Sequence, residues 1–203
     1  MICNALVVRR TAIRAVVAAT LLAASAGATA TVATELPAPA TTTTTNPYAV
    51  PAVIDVAYVN RVLAGLDAIL GDVTRIVVST RSIPPDAYDR LRALYATNDL
   101  LQLTIDSVQS DIRRGLNSYK IEPGNKTSTV QHIVSADSRC VFVKVERNYS
   151  AVSTSPNTVN PQWVGLRIKE ATRDPKNYNP TPWMLVYDGF PQDRSTPTNP
   201  CTL

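Results

Sequence analysis

The spacing of apolar residues changes near the middle of the chain, and this change constrains the fold more than any other feature. Between residues 55 and 116, apolar side chains recur every three or four positions, whereas after the turn at residues 123–125 they alternate with polar ones. The first period is that of an amphipathic helix, and the second is that of a half-buried strand. We therefore expect helices first and a sheet afterwards.

The apolar residues between positions 55 and 80 are expected to belong to two separate elements. A helix over residues 55–70 should stop at Gly71, because glycine commonly follows a helix C-terminus. Residues 72–80 are rich in β-branched side chains, and a helix capped by Asp72 is favoured there over a strand.

Two further helices are expected before the turn. One begins at Pro84 and Pro85, since the first helical turn tolerates proline. The other begins at Asn98 or Asp99 and ends at residues 117–118.

Four strands are expected after the turn, each with one aliphatic face. Such strands, joined by short connections, form an antiparallel sheet that is covered on one side. We predict an α+β domain in which N-terminal helices pack on one face of a four-stranded, mainly antiparallel sheet. The expected strands cover residues 129–136, 140–149, 163–170 and 183–187.

The first residues have the pattern of an export signal. Arg9, Arg10 and Arg14 precede an apolar run over residues 15–26, which small residues with Ala-x-Ala spacing follow. The run is shorter than the roughly 20 residues of a spanning helix, so a cleaved signal is favoured over an anchor. We therefore expect a secreted or cell-envelope protein, exported by the Sec route, with no stable membrane span after cleavage.

Composition divides the rest of the chain. The segment that follows the signal consists mainly of Thr, Pro and Ala, with too little apolar surface to order itself. It is expected to be a flexible linker. The predicted organisation is a signal peptide over residues 1–30, a linker over residues 31–51 and one α+β domain over residues 52–203.

Charge does not favour a nucleic-acid partner. The chain has 20 Lys and Arg against 16 Asp and Glu, a formal net charge of +4. Three of the arginines lie in the predicted signal, so the mature chain would carry 17 minus 16, or +1. Its basic and acidic residues alternate as they do on an ordinary solvated surface.

Cysteine usage predicts a covalent crosslink. Once Cys3 leaves with the signal, Cys140 and Cys201 remain, and in an oxidising compartment they are expected to pair. Two distant cysteines and one histidine lack the close ligand pairs of a zinc site, so no metal is expected. The chain also lacks a glycine-rich phosphate-binding motif, and no cofactor is predicted.

His132, the only histidine, is the one candidate for catalysis. Alternation predicts that it shares an apolar strand face with Val130 and Val134. A packed, hydrogen-bonded core histidine is the favoured interpretation, and a general base facing a pocket between sheet and helices is the alternative. Spacing identifies no Ser/His/acid set.

Aromatic residues supply the candidate binding positions Trp163, Trp183, Tyr149 and Tyr187. Both tryptophans follow an Asn-Pro dipeptide and are expected at strand entrances. Asn-Pro favours turns, so a structural role is the favoured interpretation. The alternative is a paired-tryptophan rim that binds a sugar, a lipid or a partner.

Several short passages form a pattern together: residues 58–63, 123–125, 140–143 with Arg147 and Tyr149, 179–183, 187–190 and 199–201. They resemble an exported, functionally uncharacterised protein family of actinobacteria, and the likeness covers about residues 57–201. It implies no catalytic residues. At the level of architecture, the expected helices and sheet resemble the nuclear transport factor and ketosteroid isomerase superfamily, and this resemblance implies a cone-shaped, cystatin-like fold. The isomerases of that superfamily need a pocket acid that the predicted inward positions do not supply.

Two functions are compatible with these features. The first is an exported, non-enzymatic binding or assembly module of the cell envelope, with an envelope protein, a glycan or an apolar ligand as its partner. The second is a small-pocket enzyme or carrier for an apolar ligand that uses His132 and nearby aromatics. A cleft containing His132 would favour the second, and a filled core with exposed tryptophans would favour the first.

Overall fold

The computed structural model describes residues 46–189 and 197–202, in which three helices precede a four-stranded antiparallel sheet. The expected α+β class is therefore confirmed. The predicted signal peptide and most of the predicted linker lie outside the described residues. The elements are α1 (Val56–Thr80), α2 (Pro85–Leu94), α3 (Asn98–Arg113), β1 (Thr127–Ala136), β2 (Cys140–Asn148), β3 (Val159–Ile168) and β4 (Trp183–Gly189), with a 3-10 turn at Ala171–Arg173.

Helix α1 has a well-defined start and end. The carboxylate of Asp55 accepts a hydrogen bond from the Tyr58 backbone N–H at 2.7 Å and caps the helix. The helix ends at Thr80, and the residue that follows it, Arg81, adopts the left-handed conformation with φ 51°.

Gly71 lies inside α1, so the predicted stop there, and the separate helix capped by Asp72, are wrong. The helical type of residues 72–80 is confirmed. A Cβ at Gly71 would collide with the side-chain oxygen of Asn125, so the missing side chain permits a close approach of the 123–125 turn. The buried stripe continues past the glycine through Val73 and Val77, which keeps the segment in one helix.

Helices α2 and α3 follow the sequence prediction with shifted ends. Helix α2 begins at Pro85, as expected. Helix α3 is capped by Thr97, whose hydroxyl accepts a hydrogen bond from the Leu100 N–H at 3.3 Å, and not by Asn98 or Asp99. It ends at Arg113, several residues early, because Gly115 and Leu116 have positive φ angles of 80° and 58°.

The four strands form a meander in the order β1-β2-β3-β4, with every neighbouring pair antiparallel. Strand β3 starts before the predicted position, so Pro161 lies inside it and Trp163 lies in mid-strand, opposite Lys144. Strand β4 pairs with β3 only from Trp163 onward, so at Pro161 one side of β3 has no partner strand among the described residues. A proline, which donates no ladder hydrogen bond, is tolerated there.

A bulge in β1 overturns the predicted faces of that strand. Val130 pairs with Val145 and His132 pairs with Lys144, so Gln131 is an extra residue between them. The bulge rotates the following residues by one position. His132 is therefore exposed, and the predicted apolar face shared with Val130 is wrong.

The helices cover one face of the sheet, called here the inner face, and the core lies between them. Trp183 belongs to this core with 0% exposure, and its Nε1–H donates a hydrogen bond to the Tyr58 hydroxyl at 2.8 Å. Tyr48 and Val50 also pack against the core, so the folded region begins before the predicted boundary at residue 52. No helix in the described ranges is long and apolar enough to cross a membrane.

The opposite, outer face of the sheet carries the predicted disulfide. Cys140 and Cys201 are bonded, with their Cα atoms 5.5 Å apart, which confirms the pairing. The bond holds residues 197–202 against the sheet, where the Asn199 side-chain amide donates to Ser135 Oγ at 2.9 Å. A Cβ at Gly165 would lie 2.7 Å from Pro200, so a glycine is needed where this segment crosses β3.

Candidate functional site

A cleft of about 450 Å³ opens between α1, α3 and the inner face of the sheet. Its volume lies within the range of small-molecule sites. The side formed by the helices is mainly aliphatic, whereas the floor, formed by the sheet and residue 126, carries charged and hydrogen-bonding groups. The helical side includes Leu70, Thr74, Leu100, Leu103, Thr104, Ser107 and Val108, and the floor includes Lys126, Arg147, Tyr149, Gln162 and Asp188.

An ion pair between β2 and β4, the two strands that flank β3, forms part of the floor. The Arg147 guanidinium on β2 lies 2.7 Å from a carboxylate oxygen of Asp188 on β4, and the two side chains are 3% and 14% exposed. Removing one partner from such a buried pair leaves an uncompensated charge. The pair therefore fixes the positions of both side chains at the base of the cleft.

A second, looser pair links α1 to the start of β1. Lys126 Nζ lies 3.6 Å from Asp67 Oδ1, and Asp67 Oδ2 is buried without a hydrogen-bond partner among the described residues. Burial raises the pKa of the Asp67 carboxyl above its usual range, although the Lys126 charge opposes the shift. The carboxyl thus holds a proton at a higher pH than an exposed aspartate does.

Three tyrosines surround the cleft. The Tyr149 hydroxyl accepts a hydrogen bond from the Gln162 side-chain amide at 2.9 Å, and the Tyr119 hydroxyl donates to Asp111 Oδ2 at 2.8 Å. Burial raises the pKa of both Tyr95 and Tyr119, so these phenols remain protonated at neutral pH. They offer the cleft neutral hydroxyl groups and flat apolar ring faces.

The helical side of the cleft leads into a smaller apolar recess. This recess of about 50 Å³ shares Leu70, Thr74, Thr104, Val108 and Tyr119 with the cleft. Its remaining lining consists of aliphatic side chains from α1, α2 and the turn after α3. Those are Val73, Val77, Leu91 and Leu116.

The predicted site residues are not brought together. Tyr149 lines the cleft, as a binding residue would, whereas Trp183 is buried in the core and Trp163 and Tyr187 lie on the outer face. The two tryptophans therefore do not form a rim. His132 lies outside the cleft on the exposed side of β1, so a pocket containing it is also wrong.

Trp163 and Tyr187 belong to an aromatic cluster on the outer face. Phe142 stacks on Trp163 with ring centroids 5.3 Å apart and meets Tyr187 edge-on at 6.1 Å. Phe142 is fully buried, whereas Trp163 and Tyr187 are half-buried. The cluster buries aromatic surface beside the disulfide-tied segment, which accounts for these residues structurally.

The Asn-Pro dipeptides that begin at Asn179 and Asn199 support the turn interpretation. The Asn179 side-chain amide donates to the carbonyl oxygens of Ala93 and Trp183 at 3.1 and 2.7 Å, and its oxygen accepts from the Thr181 N–H at 2.9 Å. The oxygen of Asn199 likewise accepts from the Cys201 N–H at 2.9 Å. These amides organise the backbone where the following proline cannot donate.

The charged floor was missed by the sequence prediction, although part of it had a signal. Arg147 continues the alternate positions of the apolar β2 face, and Asp67 lies within the apolar stripe of α1. A charged residue on a buried face indicates a paired or functional group. The expected absence of an inward acid is wrong, because Asp67 on α1 is buried and Asp188 on β4 lines the cleft.

The described residues contain no group of three or more His, Cys, Asp or Glu side chains arranged to hold a metal ion.

Comparison with protein-family models, with curated proteins and with solved structures finds no match to this chain. The site must therefore be interpreted from its own geometry and chemistry.

Proposed function

We propose that this protein is an exported, non-enzymatic binding module of the cell envelope, whose cleft holds a small ligand with an apolar body and a polar end. The observation that carries the proposal is the division of the cleft into an aliphatic helical side and a polar floor. Ligand sites typically combine a mainly apolar lining with a few placed polar groups.

The rigidity of the floor supports a binding role. Arg147 on β2 and Asp188 on β4 lie on the two strands that flank β3 and hold each other in place, so their positions do not depend on a ligand. Buried ion pairs contribute little to stability compared with well-packed apolar residues. A pre-positioned polar group, by contrast, lowers the entropic cost of ligand binding.

Export is supported by the sequence and by the crosslink. The Cys140–Cys201 disulfide fits an oxidising compartment, and the first residues carry the pattern of a signal peptide. Membership of an exported actinobacterial family, and a likeness to the nuclear transport factor and ketosteroid isomerase superfamily, stay predictions. Fractionation of the native cells, with detection of the mature chain outside the cytoplasmic membrane, tests the location.

The alternative function with His132 as its working residue loses its basis, because His132 lies away from the cleft. The apolar ligand of that alternative remains part of the proposed binding function. The floor residues suit hydrogen bonding and charge recognition of a ligand, which requires no chemical step.

Blocking the cleft tests the binding role. Ser107 lines the cleft on α3, whereas Gln109 on the same helix does not. The wild type is expected to increase the fluorescence of Nile red, a neutral polarity-sensitive dye, and Ser107→Trp should abolish this increase by filling the cleft. Gln109→Trp, the matched control, should bind the dye like the wild type.

Two results would refute the binding role of the cleft. One is the absence of a fluorescence increase with the folded wild type. The other is equal dye binding by Ser107→Trp and Gln109→Trp, which would place the apolar site elsewhere. Circular dichroism of each variant establishes that the fold is intact.

A further inference from the structure

We infer that the polar end of the ligand is a carboxylate, which Lys126 receives, and that its body is an alkyl chain lying along the helical side of the cleft. This inference rests on the proposed binding function and names the ligand class. Three observations support it. The Lys126 ammonium has no hydrogen-bond acceptor among the described residues, further donors lie near it, and an apolar recess adjoins the cleft.

The Lys126 ammonium has unused hydrogen-bonding capacity at the cleft. Its side chain is 10% exposed, and its nearest carboxylate oxygen, at 3.6 Å, is beyond hydrogen-bond distance. None of the described residues accepts a hydrogen bond from it. An ammonium has three donors, and leaving them unpaired at a largely desolvated position is costly.

Lys169 provides an internal comparison. Its side chain is 18% exposed, but its Nζ donates to Asp174 Oδ2 at 3.2 Å, to Asn177 Oδ1 at 3.4 Å and to the Asn179 carbonyl at 2.6 Å. All three of its donors are therefore used within the protein. The less exposed Lys126, with none used, has the character of a ligand-binding group.

The surroundings of Lys126 favour an anion over a neutral or cationic group. The ammonium lies 5.9 Å from the centre of the Tyr149 ring, and the hydroxyl of that tyrosine accepts from Gln162, which leaves its own hydrogen available to donate. Asp188 is already engaged by Arg147. Burial raises the pKa of the neighbouring Asp67 carboxyl and so disfavours its charged form, which weakens its hold on the ammonium.

The other end of the ligand is indicated by the recess. Its lining beyond the cleft, formed by Val73, Val77, Leu91 and Leu116, contains no polar side chain. A flexible alkyl chain can follow the aliphatic side and enter such a narrow space. A carboxylate at Lys126 with a chain directed toward this recess matches both ends of the cleft.

Three ligands that differ only in the polar end test the inference. Decanoate, decanol and decylamine are each used to displace Nile red from the wild type at low ionic strength. Because charge-assisted hydrogen bonds are stronger than neutral ones, decanoate is expected to bind at least tenfold more tightly than decanol, and decylamine most weakly. Equal affinity for decanoate and decanol would overturn the inference while leaving the binding function intact.

Variants of Lys126 identify the group responsible. Lys126→Met should remove the preference for decanoate and leave decanol binding unchanged, whereas Lys126→Arg should keep the preference. Lys120→Met, at an exposed lysine outside the cleft, is the matched control and should behave like the wild type. An unchanged preference in folded Lys126→Met would exclude Lys126 as the receiving group. Should Lys126→Met fail to fold, the decanoate and decanol comparison on the wild type still decides the ligand class.

Failure of the binding function has a different signature. In that case the wild type gives no cleft-dependent Nile red signal, and no displacement by any of the three ligands is measurable. A clear dye signal that decanoate does not reduce refutes the carboxylate and keeps the cleft as a binding site.

Discussion

The two faces of the sheet are formed by the same strands but differ in the side chains they carry and in what covers them. The inner face changes along its length from an apolar core around Val143 and Trp183 to a charged cleft floor around Arg147 and Asp188. The outer face carries exposed charges, an aromatic cluster around Phe142 and the disulfide-tied C-terminal segment. Strand alternation separates the two environments residue by residue.

The comparison shows that the aromatic cluster around Phe142 and the charged floor of the cleft lie on opposite faces of the sheet. The aromatic side chains most visible in the sequence, the two tryptophans, are accounted for by packing. The residues that give the cleft its chemistry are charged side chains on a face that is otherwise aliphatic. A buried charge on an otherwise aliphatic face is therefore a better sequence signal for the lining of this cleft than a tryptophan.

Truncation of each tryptophan should reveal the different roles of the two faces. Trp183→Ala removes a fully buried ring and its hydrogen bond to Tyr58, and we expect a loss of about 3–5 kcal/mol in the free energy of unfolding. Trp163→Ala removes a half-buried ring and should cost about 1 kcal/mol. Urea denaturation measures both values, and equal losses would contradict the assignment of Trp163 to the periphery.

Removal of the disulfide should destabilise the outer face without altering the cleft. The bond joins residues separated by 61 positions. The chain-entropy model gives about 4 kcal/mol for a loop of that length, so Cys140→Ala/Cys201→Ala should lower the free energy of unfolding by that amount. Reductant should reproduce the loss in the wild type and have no effect on the double variant. Loss of Nile red binding by the folded double variant would show that the two faces are coupled.

A pH series should distinguish the buried Asp67 carboxylate, which α1 directs into the interior, from an exposed carboxylate on the outer face. Burial raises the pKa of Asp67 above the ordinary value of 3.8. The unfolded chain therefore loses this proton first, and the wild type loses stability as pH rises from about 3.8 through the folded pKa. Asp67→Asn should remove this decline, so its stability relative to the wild type should increase from pH 4 to pH 7.

The control for the pH series is Glu146→Gln, at an exposed position on the outer side of β2. It should leave the wild-type decline in place. A difference between Asp67→Asn and the wild type that is constant over the range would show that the Asp67 carboxyl has no raised pKa. Thermal or urea unfolding at each pH supplies the measurement.

Periodicity and cysteine count were enough to predict the fold class, the four strands and the crosslink. These features depend on local patterns that persist over many residues, so a few shifted ends, such as those of α3, do not change the result. The stop at Gly71 failed because a contact with Asn125, distant in sequence, determines the role of that glycine. A contact of this kind leaves no local pattern.

Two bulges explain why the site residues were harder to predict. In β4, Gly165 pairs with Tyr187 and Leu166 with Leu185, so Val186 is an extra residue. Simple alternation from Trp183 would direct Tyr187 toward the helices, but the bulge places Tyr187 outside and Asp188 inside. The bulge at Gln131 likewise moves His132 outside. In each strand, one inserted residue turned a predicted site residue outward and placed the next residue, Ile133 or Asp188, inward.

The smallest expected effect tests this explanation at His132. Because the Gln131 bulge leaves the imidazole exposed, His132→Ala should change the free energy of unfolding by no more than about 0.5 kcal/mol and leave Nile red binding unaltered. Ile133, which pairs with Val143 and packs against the core, occupies the inward position instead, so Ile133→Ala should be clearly more destabilising. The reverse order would mean that β1 follows uninterrupted alternation in solution, with His132 directed toward the helices.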